Sequence, residues 1–197
     1  MSITNYLNNK GFHSFEGYCQ EVPEQVQDLI ALTNKPNINV MEIGFNAGHS
    51  AEIFLKNNPH LFLTSFDIGR HEYISHAKTY IDETYPNRHT LILGDSRITV
   101  PKFINERKDA TLFDVIFIDG SHKYKTVMED IENCFSLAHT DTIVILDDTM
   151  FKKEWEEGWT VGPTKAWLEC LQEDKIIDLE RKDYCFGRGM SWGKYMR

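Results

Sequence analysis

Residues 40–50 have the sequence VMEIGFNAGHS, in which an apolar run ends in an acid and is followed by two spaced glycines. The run predicts a buried β-strand, and the glycines predict a tight turn into a helix that begins near Ala47. Gly44 can adopt backbone angles closed to other residues, and Gly48 lets a ligand approach the main chain. Because the first N–H groups of such a helix point at the turn, we expect a nucleotide-type cofactor to bind there.

The composition indicates one water-soluble, intracellular domain over residues 1–197. This length is enough to bury a full core, and the net charge of -9 disfavours nucleic acid or an anionic membrane as a partner. The four cysteines lack the spacing of a zinc site, and no apolar run approaches the roughly 20 residues that span a bilayer. We therefore expect a cytoplasmic protein that binds a small molecule, and a homo-oligomer stays open.

Five apolar runs alternate with segments of helical periodicity, which predicts a parallel sheet covered by helices on both faces. The predicted strands are 39–43, 61–66, 90–93, 113–118 and 142–146. The predicted helices between and after them are 51–57, 71–85, 98–106, 123–137 and 164–171. Two last strands, 175–179 and 185–192, are expected to be antiparallel neighbours. A helix at 23–32 is expected to form part of a helical lid over residues 1–36, before a core at 37–197.

Polar residues close every strand of the predicted parallel sheet. They lie at 42–48, 67, 94–96, 119–122 and 147–148. In an open parallel sheet a ligand binds at the carboxyl ends of the strands, so these residues favour a functional edge over plain connections. Asp67 lies 23 positions after Gly44, close to the roughly 20-residue offset at which an acid meets ribose hydroxyls in dinucleotide folds. The alternative role of Asp67 is a helix N-cap.

The glycine spacing bears on which cofactor binds. The turn has the form E-x-G-x-x-x-G, whereas the loop that wraps a pyrophosphate has the form G-x-G-x-x-G. A Walker loop needs one more residue between its glycines, and a lysine where His49 stands. An acid at the end of the first strand with a looser turn suits a cofactor that carries an ammonium and a carboxylate, such as S-adenosylmethionine. The alternative is a tight turn without a ligand.

Three motifs give the chain its resemblance to a known family. They are EIG and GHS within 42–50, IDGSHKY at 118–124, and LDD at 146–148. With them the chain resembles the class I S-adenosylmethionine-dependent methyltransferases, in the small O-methyltransferase branch that includes catechol O-methyltransferase, and is most similar to methyltransferase family 24. The resemblance implies a Rossmann-like, doubly wound α/β fold. Its sheet would be mostly parallel and seven-stranded, with an antiparallel C-terminal hairpin strand.

The resemblance also implies which residues contact the cofactor. They are Glu42, Gly44, Phe45, Gly48, Ser50, Asp67, Gly94, Asp95, Ser96 and Asp119. In the family the first loop holds the methionine end, the acid after the second strand takes the ribose hydroxyls, and the third loop borders the adenine. Asp119 would lie near both the sulfonium and a metal.

Asp119, Asp147 and Asp148 follow neighbouring strands and form a second group of candidate residues. Such a cluster repels itself unless it is protonated or holds a cation, and hard oxygen ligands favour Mg²⁺, with Mn²⁺ or Ca²⁺ as alternatives. Metal-dependent relatives have a matching set of an acid, an acid and an asparagine or acid. The alternative for the adjacent pair is a turn with a helix cap.

His122 is the predicted general base, acting with Asp119. It lies three residues after Asp119, where catechol O-methyltransferase has its catalytic lysine. A capping or surface histidine is the alternative.

Trp155 and Trp159 follow the predicted metal ligands in an acidic loop, and their rings are expected to wall a substrate pocket. Packing of one ring under the loop is the alternative. Tyr18 stands where the family has the tryptophan of a Gly-Trp-Cys motif, and would also face the substrate.

The sequence thus predicts methyl transfer from S-adenosylmethionine to a hydroxyl of a small molecule or sugar, assisted by a divalent metal. The alternatives are a catalytically silent module that binds the cofactor and an NAD(P) oxidoreductase.

Overall fold

Seven β-strands form one mixed sheet in the computed structural model, which describes residues 1–17, 19–106 and 112–197. The strands are β1 (Asn39–Ile43), β2 (Phe62–Asp67), β3 (His89–Leu93), β4 (Phe113–Ile118), β5 (Ala138–Asp147), β6 (Ile176–Cys185) and β7 (Arg188–Tyr195). Their order across the sheet is β3-β2-β1-β4-β5-β7-β6. In the described sheet β7 runs antiparallel to both of its neighbours, β5 and β6, and the other adjacent strands pair in parallel. The predicted fold class, with its antiparallel C-terminal hairpin strand, is confirmed.

Helices cover both faces of this sheet. Those in the described part of the chain are α1 (Ile3–Asn9), α2 (Pro23–Thr33), α3 (His49–Asn57), α4 (Tyr73–Thr84), α5 (Ser96–Glu106), α6 (Tyr124–Phe135) and α7 (Val161–Gln172). Side chains of α1 to α4 share one buried cluster with Val40 and Phe117, and those of α5 to α7 share another with Met41 and Ile116. Because successive strand residues point to opposite faces, the unbroken apolar runs of β1 and β4 supply both clusters.

The strand order reverses at the centre of the sheet, where β1 pairs in parallel with β2 on one side and with β4 on the other. The connections therefore leave β1 and β4 on opposite faces, and a crevice opens at the carboxyl ends of these strands. The loops after β1, β2, β3, β4 and β5 border this crevice. The fold thus gathers the polar residues that close the strands.

The N-terminal helices pack into the first of the two clusters. Ile3 and Leu7 of α1 and Leu29 of α2 are fully buried. The backbone N–H of Ile3 donates to Oε1 of Glu52 on α3 at 3.0 Å. The sequence analysis did not predict α1, because its seven residues are too few to establish a helical period. The helices α1 and α2 therefore contribute to the core of this face, and the role of residues 1–36 as a lid stays a prediction.

Several element boundaries differ from those predicted; β5 begins at Ala138 rather than at 142, and β7 spans Arg188–Tyr195 rather than 185–192. β6 continues to Cys185, beyond residue 179, because an edge strand accommodates charged residues such as Glu180 and Lys182 after the apolar run has ended. α7 begins at Val161, before residue 164, with Pro163 in its first turn. A proline there removes an N–H that has no partner within the helix. Within the described ranges, no helix is long and apolar enough to cross a membrane.

Candidate active site

A cavity of about 630 Å³ opens at the carboxyl edge of the sheet. This volume lies within the range of small-molecule and cofactor sites. The predicted site residues that line it are Gly44, Asp67, Gly94, Asp95, Ser96, Asp119, His122, Asp147, Asp148 and Trp159. The edge that the sequence predicts is therefore one continuous surface.

Gly44 allows the loop after β1 to approach the loop after β4. Its φ of +105° lies in the left-handed region, and its N–H donates to the carbonyl of Phe66 at 2.8 Å. A Cβ added to Gly44 would lie 1.9 Å from the carbonyl oxygen of Asp119. Any other residue would force the two loops apart, so this glycine sets the position of Asp119 beside the first loop.

Replacement of Gly44 by alanine is expected to lower the free energy of unfolding by about 2–5 kcal/mol, because backbone strain and overpacking add. Gly11→Ala is the matched control, since Gly11 has a φ of +93° but nothing within 4 Å of an added Cβ. Urea denaturation of both variants separates the two contributions. An equal loss of stability in both variants would show that the steric overlap with Asp119 is relieved at little cost in free energy.

Glu42 and Ser50 lie beneath the first loop. Glu42 is fully buried, and its carboxylate accepts hydrogen bonds from the hydroxyls of Ser50 and Ser65, the latter at 2.6 Å. Burial raises the pKa of Glu42 to about 7. Because these partners lie on α3 and β2, the carboxylate is turned to that face of the sheet. Neither Glu42 nor Ser50 is among the described residues that line the cavity.

Two other residues of the predicted cofactor loop are also outside the described cavity lining. Phe45 is 1% exposed and stacks on the ring of His89, with 5.0 Å between centroids. Gly48 is the N-cap residue of α3, with a φ of 76°. Both residues shape the turn and leave the cavity surface to Gly44 and Asn46.

Asp67 ends β2 and faces the cavity. Its Oδ2 accepts a hydrogen bond from the backbone N–H of Asn46 at 2.8 Å, and its Oδ1 accepts one from that of Gly69 at 2.7 Å. The N-cap of α4 is Glu72, so the structure does not give Asp67 the alternative capping role. An ionised carboxylate has about four acceptor positions, which leaves about two for hydroxyl donors in the cavity.

Asp95 is held in place by Arg97 at the end of β3. The guanidinium donates through Nε at 2.9 Å and through Nη2 at 2.6 Å, and this hydrogen bonding lowers the pKa of Asp95. Gly94 has a φ of +134°, and Ser96 begins α5. The three predicted residues of this loop thus form the border of the cavity furthest from β5 in strand order.

Asp119, Asp147 and Asp148 converge at the other end of the cavity. Asp147 and Asp148 are 6% and 5% exposed, and Oδ1 of Asp147 accepts a hydrogen bond at 2.6 Å from Nε2 of Gln25, a buried residue of α2. Burial, and after it the neighbouring carboxylates, raise the pKa of Asp119 and of Asp147 above the ordinary range. A proton or a cation would relieve this repulsion.

His122 contacts this acidic cluster directly. Its Nε2 lies 2.8 Å from Oδ2 of Asp148, and this hydrogen bond raises the pKa of His122. One carboxylate oxygen of Asp119, one of Asp148 and a ring nitrogen of His122 lie within 4.8 Å of one another. Oδ1 of Asp148 is buried and has no hydrogen-bond donor in the described part of the chain. Two carboxylates this close could share one hard cation such as Mg²⁺. Among the described residues, Asp147 is not in this group of three, and its place as a third ligand stays a prediction.

The two loop tryptophans have different surroundings. Trp159 lines the cavity, is 42% exposed and donates through Nε1 to the carbonyl of Gly187 at 3.1 Å. Trp155 packs on Phe186, with 5.6 Å between ring centroids, and is not among the described cavity residues. Of the two rings, Trp159 is thus placed to wall the cavity, and a contact of either ring with the substrate stays a prediction. Tyr18, the third predicted substrate residue, lies outside the described residues.

Residues of the site that were not among those predicted include Gln25, Asn46, Arg97 and Arg188. Asn46 has a φ of 47°, and asparagine between two glycines is a signal for such a turn. Arg188 lies between two glycines at the hairpin turn, which marks the start of β7 at this edge. Nothing in the sequence marks Gln25, because a single polar residue on a helix gives no sign of a partner 122 positions away.

Comparison with known families agrees with this geometry. A model described as a methyltransferase domain, that of methyltransferase family 24, matches residues 41–149. The matched region extends from β1 to just beyond β5, and so includes every strand end that borders the cavity, apart from the first residue of β7. No curated protein matches the chain in sequence.

Solved structures share the fold. An O-methyltransferase from Bacillus cereus in complex with S-adenosylhomocysteine (SAH) has a TM-score of 0.76 and 15% identity, and the match covers 98% of this chain and 88% of that one. The O-methyltransferase TomG from Streptomyces achromogenes, involved in tomaymycin synthesis and solved with S-adenosylmethionine, has a TM-score of 0.75 and 14% identity, with coverage of 99% and 88%. A TDP-rhamnose 3'-O-methyltransferase of calicheamicin biosynthesis has a TM-score of 0.65 and 19% identity, with coverage of 87% and 80%.

At these identities the solved structures establish the fold, and the family model establishes the family. Its match extends over more than half of the chain. The protein therefore belongs to methyltransferase family 24, among the class I S-adenosylmethionine-dependent methyltransferases.

Proposed function

We propose that the protein transfers the methyl group of S-adenosylmethionine to a hydroxyl of a small molecule or sugar, with the assistance of a divalent metal. The observation that carries this proposal is the 2.8 Å contact between His122 Nε2 and Asp148 Oδ2, beside Asp119. This contact supports the proposal because a candidate base and an acidic cluster lie in the same cavity as the loop after β1. A module that only bound the cofactor would need neither.

The cofactor would lie along the ends of β1, β2 and β3. S-adenosylmethionine supplies the methyl group as a substituent of a sulfonium. Gly44 and Asn46, which line the cavity, would face its methionine end, while Glu42 and Ser50 support this loop through the hydrogen bond between them. Asp67 would accept hydrogen bonds from the ribose hydroxyls, and residues 94–96 would border the adenine.

His122 would act as the general base at the other end of the cavity. When its Nε2–H donates to Asp148, Nδ1 is left to accept the proton of the acceptor hydroxyl, and the Asp148 carboxylate stabilises the imidazolium that forms. A cation held by Asp119, Asp147 and Asp148 would lower the pKa of that hydroxyl and orient its oxygen. Asp119 also borders Gly44, so the reacting groups would meet at this point of the cavity.

A sugar or phenolic ring is the proposed acceptor. The half-exposed indole of Trp159 offers a flat apolar face to a ring in the cavity. One structural neighbour is named as a TDP-rhamnose 3'-O-methyltransferase, which supports a sugar by likeness of fold.

Calorimetric titration and a methyl-transfer assay test this function against its rivals. We expect SAH to bind and a sugar or catechol in a panel of acceptors to be methylated in a metal-dependent reaction. Binding of NAD(P) with no response to SAH would reject the proposal in favour of an oxidoreductase. Binding of SAH with no methyl transfer across sugars, catechols and small alcohols would reject it in favour of a silent module.

Replacement of Asp67 by alanine is expected to weaken SAH binding about 10- to 100-fold, because hydrogen bonds to a charged group contribute about 1.5–3 kcal/mol. Asp82→Ala removes the same charge from an exposed position on α4 and is the matched control. Calorimetry gives the Kd of both variants. An unchanged Kd for Asp67→Ala would mean that the ribose hydroxyls bind elsewhere.

A further inference from the structure

Arg188 is a cation at the acidic end of the cavity. It is the first residue of β7, and Met190 of the same strand pairs with Asp147. Because β7 runs antiparallel to β5, its first residue lies at the edge where the parallel strands end. The Arg188 side chain lines the cavity and is 23% exposed.

The guanidinium of Arg188 has no hydrogen-bond acceptor in the described part of the chain. Its nearest carboxylate atom is Oδ1 of Asp148, 3.8 Å from Nη1, which is too far for a hydrogen bond. By contrast, the guanidinium of Arg97 in the same cavity is bound to Asp95 at 2.6 Å. A guanidinium carries five N–H donors, and the Arg188 nitrogens are not among the buried side-chain atoms that lack a partner, so their donors are open to the cavity. The cavity is where an acceptor for them would lie.

The backbone beneath Arg188 is fixed by the tryptophan loop. Gly187 donates its N–H to the carbonyl of Trp155 at 2.9 Å and accepts a hydrogen bond from Nε1 of Trp159 at 3.1 Å. Trp155, which is outside the described cavity lining, thus anchors the hairpin turn, and Trp159 stands beside it as a cavity wall. Trp159 and Arg188 therefore line the same cavity as His122 and Asp148.

From this arrangement we infer that the acceptor carries an anionic group, a carboxylate or a phosphate, and that Arg188 binds it. The inference rests on the proposed methyltransferase function and adds the class of acceptor. A planar guanidinium binds either oxyanion through two parallel hydrogen bonds. Such a contact also offsets the repulsion that Asp119, Asp147 and Asp148 exert on an anionic acceptor. It would hold the acceptor ring against Trp159 with its hydroxyl towards His122.

Simple charge compensation is the competing role for Arg188, and the distances disfavour it. A guanidinium whose task was to neutralise the buried acids would donate hydrogen bonds to them, as Gln25 does to Asp147 at 2.6 Å. Arg188 stays 3.8 Å from its nearest carboxylate oxygen. Its donors remain available to a ligand.

Matched probe pairs test the inference by equilibrium binding to the SAH-saturated protein in Mg²⁺. One pair is 3,4-dihydroxybenzoate and its neutral isostere 3,4-dihydroxybenzamide, and the other is glucose 6-phosphate and glucose. We expect the anionic member of at least one pair to bind about tenfold or more tightly, because a bidentate charged contact exceeds 1.4 kcal/mol. The first pair reports a carboxylate and the second a phosphate.

Variants connect this preference to Arg188. In Arg188→Gln the affinity ratio of anionic to neutral probe is expected to fall to about one. Arg188→Lys is expected to retain part of the ratio, because the positive charge remains while the two parallel hydrogen bonds of the planar guanidinium are lost. Arg181→Gln is the matched control for net charge: Arg181 lies on β6, pairs with Asp178 and is outside the described cavity lining, and its variant should keep the full ratio.

Three results would overturn the inference. They are equal affinity for both members of each pair in the wild type, an equal loss for both members in Arg188→Gln, and a tenfold weaker SAH affinity in Arg188→Gln. The last would assign the guanidinium to the carboxylate of the cofactor. Failure of the methyltransferase function itself is seen separately, as absence of SAH binding to the wild type, while anion binding through Arg188 is then measured on the cofactor-free protein.

Discussion

Replacement of His122 by alanine is expected to lower kcat for methyl transfer about 10²- to 10⁴-fold, the usual contribution of a positioned general base. The side chain is half exposed and its ring contacts Asp148 at 2.8 Å, so its removal takes away the proton acceptor without opening the core. SAH affinity should be retained, because His122 is not among the predicted cofactor residues, and the predicted ribose and adenine contacts follow β2 and β3. Single-turnover rates with saturating cofactor give the effect on the chemical step directly.

His60→Ala is the control for the loss of a histidine, since His60 is exposed and takes part through its backbone N–H in a hydrogen bond with Asn58. That variant should turn over at the wild-type rate. A kcat for His122→Ala close to that of the wild type would exclude His122 as the base. The metal-bound hydroxyl of the acceptor would then lose its proton without help from this side chain.

Replacement of Asp148 by asparagine is expected to weaken the apparent affinity for Mg²⁺ by at least about 10- to 100-fold, the loss found when even outer partners of a metal site are changed. Treatment of the wild type with EDTA should abolish activity, and Mg²⁺ should restore it. The physical reason is that Oδ1 of Asp148 is buried without a hydrogen-bond donor in the described chain, so it is preorganised for a cation. Electron paramagnetic resonance of free Mn²⁺ measures binding without turnover.

Asp141→Asn is the matched control, because Asp141 also lies on β5 but is 78% exposed and pairs with Lys194. SAH affinity should stay the same in both variants. Weaker SAH binding with unchanged Mn²⁺ binding in Asp148→Asn would contradict the metal assignment and place this carboxylate in the cofactor site.

The sequence predicts the sheet well because its evidence is local. The apolar runs of β1 and β4 begin and end where the structure has them, since a strand covered on both faces needs an unbroken run. The polar residues that close the strands then meet at one edge through topology alone. Asp67, Asp119 and Asp148 were accessible to this reasoning because each directly follows its strand or ends it.

What the sequence does not reveal depends on which way a side chain turns. Glu42 and Ser50 stand in the most informative motif, yet they hydrogen-bond each other below the loop, because Glu42 points to the α3 face. Trp155 and Trp159 have the same local sequence signal. Only the position of the hairpin turn shows that Trp159 lines the cavity and that the backbone of Trp155 binds the turn. Arg188 is likewise invisible until β7 is known to run antiparallel and to begin at the carboxyl edge.

The hydrogen bond from Gln25 to Asp147 has a consequence for the order of folding. It joins residues 122 positions apart, and on the same helix Asp28 accepts hydrogen bonds from Lys182 and Tyr184, 154 and 156 positions away. Contacts of such long sequence separation carry a large loop-closure entropy and form late. During synthesis on a ribosome, α2 can form these hydrogen bonds only after nearly the whole chain has been made. The acidic end of the cavity therefore becomes complete only when α2 has packed against the C-terminal part of the sheet.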